Sequence, residues 1–460
     1  MATSWWLPWL VGGLLLAHAS STVLAKPQDD AQGGDADAEA PADVESDVES
    51  PVSNPEIADA PALDADNFFF GDWGGLRSEL ATKGITFDIQ WTQHAQGVVD
   101  GGADTGFGYG ATLDYLFEFD LDAMGVLPGA FIKVLAESRY GESVNGDVGS
   151  IFPANTDMSF PLKDELDEDI PITITELSFT QFFSPKFGVV LGKFQTLDGD
   201  PNEFASGRGR SQFLNSSFVF NPVTAMTVPY STLGVGVVVL PTPNVTIISM
   251  VYNTTDSSTT TGFSDIGDGW TWSTEAQFQY RLGGLPGGQN VAFIYAADQE
   301  FLNFKRSSVS PVRVHLDDET WAAYWSGWQY LYTPDEVPDR IDVTDGRADL
   351  RGIGVFARFG FADEDTNPIA WSLSAGLGGR GMLPGRDEDT FGLGFAYADI
   401  DRSAITSAFG FDDQAYGVEA YYNIAISPGV SLTLDAQVVN PVLDDFDTAT
   451  ILGARLNVRF

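Results

Sequence analysis

From Asn67 to Phe460 the chain repeats one texture: short segments in which apolar and polar residues alternate, separated by turn residues. In "ATLDYLFEFDLD" the residues Leu113, Tyr115, Phe117, Phe119 and Leu121 share one face. In "STEAQFQYRL" Ala276, Phe278, Tyr280 and Leu282 do the same, opposite Glu275, Gln277, Gln279 and Arg281. The last segment, "ILGARLNVRF", sets Leu452, Ala454, Leu456, Val458 and Phe460 against Gly453, Arg455, Asn457 and Arg459. A period of two is the period of an extended strand with two unlike faces. Ionised residues sit in mid-strand, alternating with large aromatics. A β-sandwich would turn its polar face outward to water. A membrane barrel would turn that face into a water-filled lumen and its aromatics to lipid.

The connections separate the two architectures. The alternation predicts sixteen strands: 85–96, 109–122, 129–139, 172–183, 187–195, 233–240, 244–252, 272–282, 290–297, 320–330, 352–361, 370–378, 391–399, 416–426, 430–440 and 451–460. Tight turns at "SPK", "PTP" and "SPG" all follow even-numbered strands, whereas the longest connections, 140–171 and 196–232, follow odd-numbered ones. Short turns on one rim and long loops on the other are the asymmetry of an outer-membrane barrel. The long connection 331–351, on the short-turn side, departs from the rule. An even strand number of this size encloses an aqueous channel. Phe460 then closes the last strand, as a recognisable end for the barrel assembly machinery and an aromatic at the bilayer interface.

What precedes the strands has another character. Residues 1–25 read as a signal peptide: Leu7–Ala19 is largely apolar yet too short to span a bilayer, and "VLA" precedes Lys26, although the leader lacks Lys and Arg. Residues 26–66 carry one Lys against 13 Asp/Glu and have no aromatic residue, so they are expected to be a disordered acidic linker. Of the chain's net charge of −42, that tract holds −12, and −30 falls on the rest. Such acidity excludes a nucleic-acid partner. The absence of Cys excludes disulfides and thiolate metal sites. The segment "GDWGGLRSELATKG" reads as a short helix over 72–83, with Asp72 as N-cap, Trp73, Leu76 and Leu80 at helical spacing and Gly84 as the stop, placed to seal one end of the barrel.

Three stretches carry a resemblance to a known family: "GDWGGLRSELATKGITFD" (71–88), "GVFARFGFADEDTNPIAWSLSAGLGGRGMLPGRDEDTFGLGFAY" (354–397) and the terminal "NPVLDDFDTATILGARLNVRF" (440–460). Over roughly Phe68–Phe460 the chain is similar to the carbohydrate-selective outer-membrane porins of the OprB type. The resemblance implies an integral outer-membrane barrel of sixteen strands through which sugars diffuse passively, without a catalytic centre or cofactor. The acidic tract and the acidity of the barrel depart from that pattern.

The residues offer little for catalysis or metals. His18 lies in the leader and His94 on the polar face of the first strand, leaving His315, and no G-x-S-x-G motif accompanies them. "DGDPNEFASG" (198–207) opens like a calcium loop, but Glu203 stands where a Gly is needed and Gly209 where a Glu is needed. "DELDED" and "DDFD" read as solvated loop charges. The alternation turns Asp114, Glu118, Glu275, Arg281, Arg358, Glu419, Asp435, Arg455 and Arg459 into the lumen as donors and acceptors for sugar hydroxyls, with Tyr421 and Phe356 as flat apolar faces. A barrel this wide needs a constriction, and the connection 196–232 is the candidate. Arg208 and Arg210 sit there in "ASGRGRSQ", with Asp198, Asp200 and Glu203 before them and Phe213, Phe218 and Phe220 after as anchors to the wall. The predicted function is a porin for carbohydrates and similar small polar solutes, its partners being small-molecule sugars and outer-membrane lipid. A general or cation-preferring porin on the same barrel is the first alternative, and a soluble secreted β-sandwich with a lectin-like role the second. The sequence leaves the particular sugar and the oligomeric state open.

Overall fold

The computed structural model describes residues 67–162, 169–197, 200–337 and 350–460. The leader 1–25, the acidic tract 26–66 and Asp198 lie outside them.

Among the described residues there are eighteen strands. The first nine are β1 (Ile85–Gly102), β2 (Phe107–Asp120), β3 (Ala130–Gly141), β4 (Ile170–Ser184), β5 (Phe187–Gln195), β6 (Ser231–Thr242), β7 (Val245–Asn253), β8 (Trp270–Leu282) and β9 (Leu285–Leu302). A small hairpin of β10 (Ser308–Val309) and β11 (Val312–Arg313) stands apart as its own sheet. The rest are β12 (Leu316–Tyr332), β13 (Gly352–Ala362), β14 (Ile369–Arg380), β15 (Thr390–Ile400), β16 (Gln414–Ser427), β17 (Val430–Val439) and β18 (Asp447–Arg459). All but β10 and β11 form a closed barrel in which each strand pairs antiparallel with its sequence neighbour and β1 closes on β18. The sixteen expected strands are therefore the sixteen of the barrel. The alternation underestimated β9 and β12. A left-handed residue at Asp298 (φ 60°) and a register shift at Asp317/Glu319 interrupt the period of two while the pairing continues.

Outward residues are lipid-facing hydrophobics such as Leu191, Val235, Leu393, Phe395, Val418, Leu434 and Leu452. Aromatics border this band at both ends. Toward the long-loop rim, Trp272, Phe293, Trp321 and Phe361 touch in sequence at centroid distances of 5.7–6.4 Å, and Trp371 meets Tyr397 at 5.2 Å. At the short-turn rim, Trp73, Phe87 and Phe117 form a second series at 5.6 and 6.4 Å. Two aromatic belts flanking an apolar band mark the two bilayer interfaces.

The expected helix is shorter than 72–83. Gly74 and Gly75 adopt φ of 70° and 98°, which breaks the segment into a single 3-10 turn and α1 (Leu76–Ala81). The N-cap of α1 is Gly75 and not Asp72, which stands before the 3-10 turn and still accepts from Ser78 N and Oγ at 2.8 Å each. Trp73 and Leu76 face outward, and the one buried side chain of α1 is Arg77. Its guanidinium lies 3.7 Å above the Phe68 ring and 4.1 Å above Phe87. It donates to Phe87 O on β1 at 2.6 Å and also to Phe460 O beyond β18. The helix is thus a clip across the closing seam rather than a lid over the barrel end. Phe460 joins the same clip: its N–H donates to Ile89 O at 2.8 Å and its ring packs on Phe70 at 5.6 Å.

Arg77→Ala would leave both seam carbonyls without this donor, at about 1–3 kcal/mol for each unsatisfied group. The expected outcome is a lower temperature for conversion of the folded to the unfolded electrophoretic form. Arg77→Lys should recover only part of the loss, since a point charge cannot bridge two acceptors and two rings as a planar fork does. An unchanged conversion temperature in Arg77→Ala would show that the seam holds without the clip.

Candidate functional site

Two connections on the long-loop rim fold into the barrel. Residues 142–162 and 200–230 are joined by Thr156 N→Leu214 O at 2.8 Å and Ser216 N→Pro153 O at 2.9 Å. Local chemistry shapes the second. Asn215 and Asn221 cap two short helical turns by accepting from Ser217 N and Val223 N. Arg208 and Gly209 take φ of 56° and 79°, which turns the chain sharply at its inner tip.

Inward charges of the wall hold this loop. Arg358 on β13 donates to Phe218 O at 2.8 Å and to Ala205 O, and pairs with Asp200. Glu419 on β16 accepts from Leu214 N at 2.6 Å and Asn215 N at 2.9 Å. Arg455 on β18 donates to Gly209 O at 2.7 Å and Gln212 O at 2.9 Å. All three are buried, at 1%, 0% and 0% exposure. Charge-assisted bonds in such a low-dielectric interior are stronger than their equivalents in water. The expectation that these residues meet solutes is therefore corrected: they point inward, but the loop covers them. The same holds for Tyr421 and Phe356, whose rings pack on Phe213 at 4.9 and 5.4 Å.

The loop's aromatics need a shallow wall, and glycine provides it. A Cβ at Gly354 would sit 2.3 Å from the Phe204 ring, one at Gly392 2.7 Å from Phe213, and one at Gly394 2.6 Å from Phe218. Phe213, Phe218 and Phe220 are fully buried, as wall anchors must be.

At the tip, Arg208 and Arg210 face β1–β3. Arg208 pairs with Glu137 at 2.5 Å, donates to Tyr230 Oη at 2.8 Å and approaches Asp114 at 3.9 Å. Arg210 pairs with Asp114, Asp157 and Glu137, the last at 3.1 Å. Asp157 also meets His94 Nε2 at 2.7 Å and accepts from Thr112 Oγ1 at 2.6 Å. His94 is thus tied into an ion-pair network. Burial lowers the Arg210 guanidinium to about 10, which leaves it charged at neutral pH. Arg208 keeps about a tenth of its side-chain surface exposed, whereas Asp114 is buried with its Oδ1 shielded and its Oδ2 paired to Arg210, so Arg208 is the charge of this pair that reaches open space.

The remaining candidates lie elsewhere. Asp200 and Glu203 belong to the loop's attachment: Asp200 is bound by Arg358 and by Asn290 Nδ2 at 3.0 Å, and Glu203 accepts from Tyr330 Oη. Glu275 accepts from Tyr324 Oη at 2.5 Å, and Asp435 accepts from Gln437 Nε2 at 2.9 Å. Half-buried Glu118 and Arg459 line the short-turn half of the lumen, Arg459 pairing with Asp88 at 2.5 Å. Arg281 is exposed at the rim. Sequence reasoning missed Lys133, Glu137, Asp157 and Glu176, of which Lys133 on β3 and Glu176 on β4 form a buried ion pair at 3.2 Å. Lys133 and Glu137 alternate correctly along "FIKVLAESRY" and were legible there, while Asp157 lies in an irregular segment without a pattern. Among the described residues no cluster of His, Asp and Glu is arranged to hold a metal ion.

The family described as carbohydrate-selective porin, OprB family, matches residues 104–460. Porin B of Pseudomonas aeruginosa is 21% identical over 431 residues, covering 85% of this chain and 91% of that protein. The high-pH structure of Pseudomonas putida OprB superposes with a TM-score of 0.72 at 18% identity, over 86% of this chain and 99% of that one. The low-pH structure of the same protein gives 0.53 at 17% identity, over 86% and 98%.

Gly394→Ala tests the contact between loop and wall. Overpacking of this kind costs about 1–3 kcal/mol. The expected outcome is a loosened loop, seen as raised and noisier single-channel conductance with the barrel's electrophoretic behaviour intact. Quiet, wild-type conductance would mean that Phe218 shifts without moving the tip.

Proposed function

Because the chain belongs to the carbohydrate-selective porin family of the OprB type, and is thus an outer-membrane barrel that passes carbohydrates, we propose that selection takes place where Arg208 and Arg210 face Asp114, Glu137 and Asp157. The observation that carries this reading is the inward fold of 200–230, which sets two cations of the loop against carboxylates of β2, β3 and the neighbouring connection. These charges are paired in contact with one another, and the edge of such a cluster beside the lumen presents a local field that orders the adjoining water. A neutral solute with paired hydroxyls replaces that ordered water well, because each hydroxyl both donates and accepts. An apolar solute has nothing to offer in exchange. The exposed part of Arg208 is the group a passing sugar would meet, with Asp114 behind it in the pairing.

The family implies a channel rather than an enzyme, and we extend this to the absence of any catalytic activity. Residues 1–25 are proposed as the secretory leader, 26–66 as a linker dispensable for transport, and Phe460 as part of the signal read by the assembly machinery.

Replacing Arg208 and Arg210 together with Ala should widen the passage and leave Asp114, Glu137 and Asp157 uncompensated. Single-channel conductance and cation selectivity should both rise, and block by sugars should weaken. Wild-type values for all three would place the constriction elsewhere. Deleting residues 26–66 behind the same leader should leave conductance unchanged, and a large change would give the tract a role in the pore.

A further inference from the structure

The barrel's excess negative charge is unevenly divided between its two rims. On the long-loop rim stand "DQE" (298–300), "DDE" (317–319), "DED" (363–365), "DID" (399–401), "DD" (412–413) and "DDFD" (444–447), all exposed or half-exposed apart from the buried Ile400. Of the cations among them, Lys305 is engaged by Glu364, Arg306 by Asp317 and Arg402 by Asp413 at 2.7 Å, and exposed Arg313 adds a single further positive charge. On the short-turn rim, acids and bases offset one another, as in Lys83–Glu79 at 2.6 Å, Arg351–Asp387 at 3.0 Å and Arg386–Asp389 at 2.7 Å. Between the rims, the two Arg of the tip nearly neutralise its three carboxylates. The uncompensated charge therefore sits at the outer mouth. Its crowding is visible at Asp363, whose carboxyl is held above the usual range by burial and then by the neighbouring Asp365 and Asp317.

We propose that this carboxylate rim is a second specificity element, which repels anionic sugars such as uronates and sugar phosphates before they reach the tip, so that the channel takes neutral and amino sugars. The proposal rests on the sugar-channel reading above. Several of the rim carboxylates point away from the axis, Asp298 toward Trp270 and Glu319 toward Tyr295, so the rim acts as a field and not through contacts. A field of this kind reaches about 30 Å at 0.01 M salt, about 10 Å at 0.1 M and about 3 Å at 1 M. Its effect on charged solutes must therefore fade with salt, unlike that of the paired charges at the tip. Because the charge lies on one side only, the channel should also rectify ion current at low salt.

The test uses the full chain in liposomes and measures the flux of radiolabelled glucose, glucosamine and glucuronate at low and high salt. At low salt glucuronate should pass several-fold more slowly than glucose, and glucosamine at least as fast as glucose, with the differences shrinking toward 1 M. A variant carrying Glu364→Gln, Asp365→Asn, Asp444→Asn and Asp445→Asn should raise low-salt glucuronate flux by about twofold or more, within the range of electrostatic steering, and leave glucose unchanged. If glucose does not pass, the sugar-channel reading fails. If glucose passes and glucuronate keeps pace with it, or is excluded equally at all salt concentrations, the rim is not a filter and the proposal is overturned. The wild-type salt dependence decides this even where the variant does not fold.

Discussion

Every other feature of this molecule depends on the closure of a hydrogen-bonded ring within a bilayer. A backbone N–H or C=O that faces lipid without a partner costs several kcal/mol, so a sheet that crosses the membrane must have no free edge. Pairing from Gln90↔Arg459 to Gly102↔Asp447 removes the last edge. The seam joins the two most distant parts of the barrel sequence, which makes it the costliest contact in loop-closure entropy. The concentration of clipping interactions there follows: Arg77 stacks on two rings and reaches carbonyls on both sides, and Phe69 N donates to Arg459 O at 2.8 Å.

A closed ring of sixteen strands creates a second problem, an interior too wide for its own wall to select anything. The solution here is asymmetric. The wall of β13–β16 gives up side chains at Gly354, Gly378, Gly392 and Gly394 so that Phe204, Phe213 and Phe218 can lie flat against it. Charges that would otherwise line a pore are spent on the loop backbone, at Arg358, Glu419 and Arg455. The wall of β1–β3 keeps Asp114 and Glu137 for the tip. β13–β16 and Arg455 thus serve as a foundation for the loop, while Asp114 and Glu137 receive its tip, and the two sets adjoin at the seam where Arg455 stands beside His94. The same loop cannot be removed from one set without disturbing the other, because its tip charges and its buried rings belong to one short stretch.

Much of this was legible in the sequence, and for a definite reason. A strand facing lipid on one side and water or polar loops on the other must alternate, so Leu113 to Leu121 and Leu452 to Phe460 declare both their conformation and their inward neighbours. Turn length declares the rim, and the clustered Arg208 and Arg210 with the Phe residues after them declare an inserted loop. Where the period slips, as at Asp298 and Asp317, the strand bounds were lost, because a bulge keeps the ladder but shifts the faces.

What only the tertiary structure decided is which inward charge meets solvent. Alternation assigns Asp114, Arg358, Glu419 and Arg455 to the same lumen and cannot distinguish them, since facing inward is a property of one strand. Being covered depends on a loop remote in sequence and on the glycines of the neighbouring strands. Asp157 shows the same limit from the other side: it lies in a segment without periodicity, and it gains its place only through Arg210, His94 and Thr112, three partners on three different elements. A period is a local consequence of backbone geometry and can be read along the chain. Coverage is a consequence of closure and insertion, which bring together residues that share no local pattern.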